Sequence, residues 1–287
     1  MSPLEALTRA CAETRGLILV VTGAGVSLAS GIPTFRGNDP DAVWHNDVFK
    51  LGTIEYFRRH PAASWQWYLS RFEAALAARP NPAHFALAAL ERWQKERGGR
   101  FLLVTQNVDV LHEHAGSREL VKVHGSLDRV RCSRVGCDLG APSGTLARSA
   151  VDLETFQANP VPHLLPHCPA CGALVRQHVL WFDEYYEDHR DYQYPRVLQS
   201  SYDASMVVFV GTSFAVGVTD MVMEAALERD VPVFSVDPAG LRPHPRVHVV
   251  AAPAEEALVE VCHQLGAPVQ HLHNEEPQAH LRAVARA

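Results

Sequence analysis

The chain has 287 residues, about twice the usual domain length, so one large domain carrying an insertion or two domains sharing a core is expected, and a small disulfide scaffold is excluded. Apolar residues at 47% and charged residues at 20% suit a globular protein with a sizeable core and exclude disorder throughout. Lys plus Arg at 26 against Asp plus Glu at 32 gives a net charge of −6, which offers no positive field for a polyphosphate backbone and argues against direct nucleic-acid binding.

Ser2 is placed to cap a first helix, with Pro3 in the opening turn and Glu5 reaching back, and the helix is expected to run to about Gly16. Residues 17–21, Leu-Ile-Leu-Val-Val, read as a strand buried on both faces that empties into Thr22-Gly23-Ala24-Gly25. Apolar runs reach only five or six residues, against the roughly 20 that span a bilayer, and the N-terminus lacks the basic and apolar regions of a secretory signal. A cytoplasmic protein without a membrane partner is expected.

Short buried-strand runs recur at 101–105, 120–123, 206–210, 231–236 and 247–250, with helical patterns at 82–97, 220–228 and 253–265 among them. Six such strands alternating with helices predict an α/β fold, a doubly wound parallel Rossmann-like sheet. Two stretches break the rhythm. Residues 38–81 carry a helical pattern over 62–78 with Trp65, Tyr68, Leu69, Phe72 and Leu76 on related faces, and residues 129–177 hold four of the six cysteines. The expected organisation is therefore a sheet domain of 1–37, 82–128 and 178–266, a smaller zinc-binding and helical domain formed by 38–81 and 129–177, and a polar tail over 267–287.

Cys132 and Cys137, then Cys168 and Cys171 after 30 intervening residues, have the doublet spacing of two thiolate knuckles on one tetrahedral zinc, with Gly136 and Gly172 at the turns. Four thiolates leave no open position, so the zinc is expected to be structural. Cys11 and Cys262 are expected to be inert thiols, His112-Glu113-His114 surface residues, and Trp65, Trp67, Tyr185 and Tyr186 packing residues. The glycine loop after the first strand suits a pyrophosphate, but Leu28 stands where a dehydrogenase fingerprint needs its third glycine, which argues against hydride transfer.

The segment Gly23-Ala24-Gly25-Val26-Ser27-Leu28-Ala29-Ser30-Gly31-Ile32-Pro33-Thr34-Phe35-Arg36-Gly37 resembles the signature loop of the sirtuins, NAD-dependent protein lysine deacylases. Thr105-Gln106-Asn107-Val108-Asp109, Val123-His124-Gly125-Ser126, the four cysteines and Gly211-Thr212-Ser213 follow in the family's order, so the resemblance covers roughly 16–265. It implies NAD as co-substrate, an acyl-lysine protein or peptide as partner, and transfer of the acyl group to ADP-ribose with release of nicotinamide. The oligomeric state stays open.

Residue by residue, the resemblance implies that His124 is the base at the ribose hydroxyls and that Asn107 and Asp109 hold the nicotinamide end as catalytic residues. Gln106 would bond the ribose, and Gly23, Ala24, Gly25, Ser27, Gly211, Thr212 and Ser213 would line the phosphates and ribose. Arg36 would pair with the pyrophosphate, and Phe35 would shield the reacting ribose. Asp237, where the family commonly has Asn, would bind the adenosine ribose. Val179, Trp181 and Phe182 lie in a segment similar to the strand that pairs with the substrate peptide. Gln177 and Asp183 depart from the family's Pro and Gly there, and the first cysteine pair is wider than usual.

Tyr68 and Arg71 share a helix face. They match the Tyr-x-x-Arg of class III sirtuins, which implies a grip on the carboxylate of malonyl-, succinyl- or glutaryl-lysine, with Gly52 and His60-Pro61 upstream. Two other readings stay open at this point: ADP-ribosyl transfer or NAD hydrolysis, and a non-catalytic NAD-sensing module.

Overall fold

The computed structural model describes residues 1–33 and 48–270. Helix α1 (Pro3–Glu13) opens on the anticipated capping box: Ser2 Oγ accepts the Glu5 N–H at 3.2 Å and the Glu5 carboxylate accepts the Ser2 N–H at 2.8 Å. It stops short of Gly16 because Thr14 turns extended, and the Thr14 hydroxyl donates back to the Ala10 carbonyl at 2.8 Å.

Strand β1 (Leu17–Thr22) follows, then α2 (Val48–Leu51), α3 (Ile54–Arg59), α4 (Pro61–Ala77), α5 (Pro82–Glu96), β2 (Arg100–Thr105), α6 (Leu111–His114) and β3 (Leu120–Lys122). Next come β4 (Gly125–Cys132), β5 (Leu146–Ala147), α7 (Glu154–Ala158) and β6 (Val175–Val179). The chain continues through α8 (Tyr194–Asp203), β7 (Ala204–Val210), α9 (Gly217–Glu228), β8 (Val233–Val236), β9 (Val247–Val250) and α10 (Ala254–Leu265).

The six anticipated strands form one parallel sheet in the order β3-β2-β1-β7-β8-β9. Every residue of β1 is buried, because parallel strands covered by helices on both faces have no solvent side, and aliphatic runs are what such a strand requires. Ile18 and Val20 pack with Leu7, Leu87 and Val261 on one face, while Leu19 and Val21 pack with Val197 and Val222 on the other. Each aliphatic side chain so buried contributes about 1.5–3 kcal/mol. The strand order reverses between β1 and β7, which opens a crevice at their C-terminal ends.

A second sheet, antiparallel in the order β5-β4-β6, joins the cysteine-bearing region to the segment after β3. Helix α4 lays Trp65, Tyr68, Leu69 and Phe72 against Leu127, Val130 and Val175, and the Trp65 indole N–H donates to the Val175 carbonyl at 2.9 Å. The anticipated junctions after 128 and 177 fall inside β4 and β6, so both strands run through them. Gly125, at φ 83°, is needed where these strands meet: a Cβ there would lie 2.1 Å from the His178 carbonyl oxygen.

Candidate active site and zinc centre

The loop after β1 and the loop after β7 touch backbone to backbone. The Gly25 N–H donates to the Gly211 carbonyl at 2.9 Å, and a Cβ on Gly25 would lie 2.8 Å from that same oxygen. Gly211 has φ 58°, and a Cβ on it would meet Val26 N at 2.4 Å, so both positions require glycine. This packing sets the turn Ala24–Ser30 directly on the β1/β7 crevice, with Ser27 buried.

The loop after β2 enters the same crevice. The Asn107 side-chain amide donates to the Gly23 carbonyl and to Ser27 Oγ, both at 3.1 Å, and Ser27 Oγ donates to Asp109 Oδ2 at 3.0 Å. Asp109 is buried, and its Oδ1 accepts the Leu111 N–H at 3.1 Å, which holds the carboxylate at the start of α6. The Gln106 amide donates to the Thr22 carbonyl at 3.3 Å and to Thr212 Oγ1 at 3.2 Å, tying β2 to β7 across β1. Ser213 is exposed beside Thr212, and Asp237 closes its own turn by accepting the Ala239 N–H at 2.8 Å. Phe35 and Arg36 lie outside the described residues.

His124 follows β3, and its Nδ1 is 2.8 Å from the Gln106 carbonyl oxygen. A carbonyl only accepts, so Nδ1 carries the proton and Nε2 keeps the lone pair. Burial holds its pKa below the ordinary 6.5 against the opposing pull of that carbonyl, so the ring is neutral at neutral pH.

A cleft partly open to solvent lies between these loops and α4. It is lined by Ala24, Ser27, Asn107 and Asp109 on one side and Arg71 and Phe72 on the other. The Arg71 guanidinium stands 4.9 Å from the centre of the Trp67 ring. Tyr68, one turn earlier, is 4% exposed and packs against Trp67, Phe72 and Trp181, with burial raising its pKa. The structure therefore brings Arg71 to the cleft wall and sets Tyr68 in the aromatic cluster behind it.

The anticipated substrate strand is shorter than its pattern suggested. β6 ends at Val179, and residues 181–184 form a turn in which the Glu184 N–H donates to the Trp181 carbonyl at 3.0 Å. Glu184 is the reason: its carboxylate accepts from Arg131 at 2.9 Å, from Arg176 at 2.5 and 2.9 Å, and from the Trp181 N–H at 3.0 Å. Those bonds fold the chain back on itself. Asp183 caps α3, accepting the Ile54 N–H at 2.8 Å and the Glu55 N–H at 3.2 Å. Trp181 is buried and Phe182 is exposed.

Two buried histidines escape a reading of motifs. His84 Nδ1 accepts the Asn81 N–H at 3.3 Å, leaving Nε2–H facing Ser27 Oγ at 3.4 Å, so a chain of donors runs from His84 through Ser27 to Asp109. The Asn81-Pro82-x-His84 helix start was its only sequence signal. His112, anticipated on the surface, is 1% exposed with Nε2 3.1 Å from Thr22 Oγ1, because α6 folds under the end of β1; His114 is exposed as anticipated. Tyr186, anticipated as packing, does stack on Tyr194, yet its hydroxyl also reaches Nε2 of His124.

The four cysteines of the small sheet are unpaired, and their sulfurs lie within 4.8 Å of one another. Cys132 and Cys171 sulfurs are 3.5 Å apart, and Cys137 and Cys168 sulfurs 3.8 Å. Gly136 and Gly172, both at positive φ, make the two knuckle turns, and the Ala173 N–H lowers the Cys171 thiol to about 7. Four soft donors so gathered, with no carboxylate among them, fit a closed tetrahedral zinc site.

The model of the Sir2 family matches residues 23–218, and this chain belongs to that family. It is 41% identical over 214 residues to an NAD-dependent protein deacylase of Thermus thermophilus, covering 74% of this chain and 75% of that protein. It is 35% identical over 224 residues to the NAD-dependent protein deacylase sirtuin-5, mitochondrial, of Danio rerio, covering 75% and 72%. A solved Sir2 homologue in complex with NAD superposes with a TM-score of 0.74 at 31% identity, covering 93% of this chain and 95% of that one.

Proposed function

We propose that this protein is an NAD-dependent protein lysine deacylase that prefers acidic acyl groups. The observation that carries the reading is the convergence of Ser27, Gln106, Asn107, Asp109, His124 and Thr212 on one crevice, in a member of the Sir2 family. NAD would supply the ribose that receives the acyl group. Gly23, Ala24, Gly25, Ser27, Gly211, Thr212, Ser213 and Asp237 would hold its phosphates and riboses, together with Phe35 and Arg36. Asn107 and Asp109, locked by Ser27, would fix the carboxamide end. His124, neutral with its lone pair on Nε2, would take the ribose hydroxyl proton. A purely NAD-sensing module has no use for a base prepared in this way.

The zinc held by Cys132, Cys137, Cys168 and Cys171 would shape the small lobe without chemistry of its own. We divide the chain into a nucleotide domain of 1–37, 82–128 and 178–266, a small domain of 38–81 and 129–177, and a tail of 267–287; the packing of α4 on β4 and β6 supports grouping 38–81 with 129–177, with the two junctions lying within those strands. Cytoplasmic placement rests on the unpaired cysteines; among the described residues no helix is long and apolar enough to cross a membrane.

Arg71 supports the acidic preference, since a guanidinium on the wall of a partly buried cleft offsets the desolvation of a carboxylate. Val179, Trp181, Phe182 and Tyr68 would frame the peptide and acyl chain. The test is nicotinamide release with acetyl-, malonyl-, succinyl- and glutaryl-lysine on one peptide. Arg71→Met should cut desuccinylation about 10- to 150-fold while sparing deacetylation. Equal loss of both overturns the preference, and nicotinamide release independent of acyl-lysine overturns the deacylase reading in favour of NAD hydrolysis or ADP-ribosyl transfer.

A further inference from the structure

The lone pair of His124 Nε2 already has a partner. Tyr186 Oη lies 3.2 Å from it, and the two rings stack at 5.8 Å with 20° between their planes. Because the ring proton is committed to the Gln106 carbonyl at Nδ1, Nε2 can only accept, and Tyr186 must be the donor. Tyr186 is itself held: its ring lies on Tyr194 at 4.9 Å and 10°, and the Val218 N–H at the start of α9 faces its hydroxyl. Burial and the neighbouring Tyr194 push the hydroxyl up to about 12, so it remains a neutral donor across the working pH range. Among the described residues, the groups that bear on His124 are the Gln106 carbonyl and Tyr186, with Tyr194 behind it.

We propose that Tyr186 is a positioning residue for His124: its hydroxyl donates to Nε2, holds the imidazole in the Nδ1–H form, and yields the lone pair to the substrate hydroxyl whose proton His124 takes. This rests on His124 being the base. In that step the substrate O–H bond breaks, an N–H bond forms at Nε2, the electron pair stays on the substrate oxygen, and Tyr186 keeps its own proton. Occupying the lone pair with a neutral donor favours the neutral ring over imidazolium. The base then stays usable at lower pH than an unsupported histidine would.

The test is Tyr186→Phe, which keeps the ring on Tyr194 and removes only the hydroxyl. The first readout needs no turnover: NMR titration of the His124 ring nitrogens in the full protein. Loss of a donor to the neutral form should move the His124 midpoint to higher pH, by about half a pH unit to one unit. The acidic limb of kcat/KM should move the same way, so activity at pH 6 falls roughly 3- to 10-fold while activity at pH 8.5 changes by less than about twofold. Tyr194→Phe should leave the titration in place.

An unmoved His124 midpoint in Tyr186→Phe overturns the proposal, and so does an equal movement in Tyr194→Phe, which would assign the effect to loss of any hydroxyl from this aromatic cluster and not to the Tyr186 bond to Nε2. A midpoint that moves while the kcat/KM limb stays fixed identifies a different base. That outcome removes His124 from the chemistry, and the role of Tyr186 with it.

Discussion

The two sheets of this protein are held together by different physics. In the six-stranded sheet β1 is buried at all six positions and paired on both sides, and the packing on its two faces is mainly aliphatic. The three-stranded sheet has a two-residue edge strand, an aromatic core around Trp65, four gathered thiols, and a buried Arg131–Glu184–Arg176 cluster. The first sheet is large enough to be stabilised by apolar burial alone, and the second is too small for that and depends on polar fasteners. The crevice takes its floor from the first sheet and one wall from α4, which packs on the second.

Removing the metal should separate the two most. Chelation, or Cys171→Ser, withdraws a structural zinc interaction worth about 10–16 kcal/mol in small domains. The expected outcome is release of one zinc per chain, loss of deacylation, and rapid hydrogen exchange in β4 and β6, with β1, β2 and β7 still protected. Equal exchange in both sheets would show that they unfold as one unit.

Glu184→Gln should come next. Arg131 and Arg176 are 3% and 2% exposed, so removing the charge leaves two guanidinium groups buried without a counterion, at a cost of about 3–5 kcal/mol in urea unfolding. Burial works against the ionised form of Glu184, yet Arg176 and Arg131 hold its carboxyl below the usual range, which is what a tight pair requires. A cost under about 1 kcal/mol would mean the cluster behaves like a surface pair.

The smallest effect should come from Asp183→Ala. It removes two bonds to the first backbone amides of α3 but leaves the Thr53 hydroxyl on the Tyr56 N–H at 3.1 Å. A loss of about 1 kcal/mol, or about 2 °C in Tm, is expected by scanning calorimetry. A much larger drop would make this cap a principal tie between the two regions.

Much of this was legible from residue order. The strand 17–21 announced itself by five consecutive aliphatics, the zinc centre by its doublet spacing, and the crevice by glycines that prove to be in backbone contact with one another. The 179–184 segment misled because its opening run Val179-Leu180-Trp181-Phe182 suits a strand, whereas a carboxylate held between two buried arginines bends residues 181–184 into a turn. His112 misled because a four-residue helix has no periodicity from which to read its buried side.

Local order by itself determined the continuous apolar strand runs, the period-3.6 helical patterns, the turns that demand glycine, and the thiol doublets, since each depends on residues a few positions apart. The tertiary structure decided which polar atoms meet. His84 reaches Ser27 across 57 positions, Arg131 reaches Glu184 across 53, and Tyr186 reaches His124 across 62. Such contacts depend on the packing of whole elements and on single side-chain torsions, and neither leaves a period or a spacing in the chain.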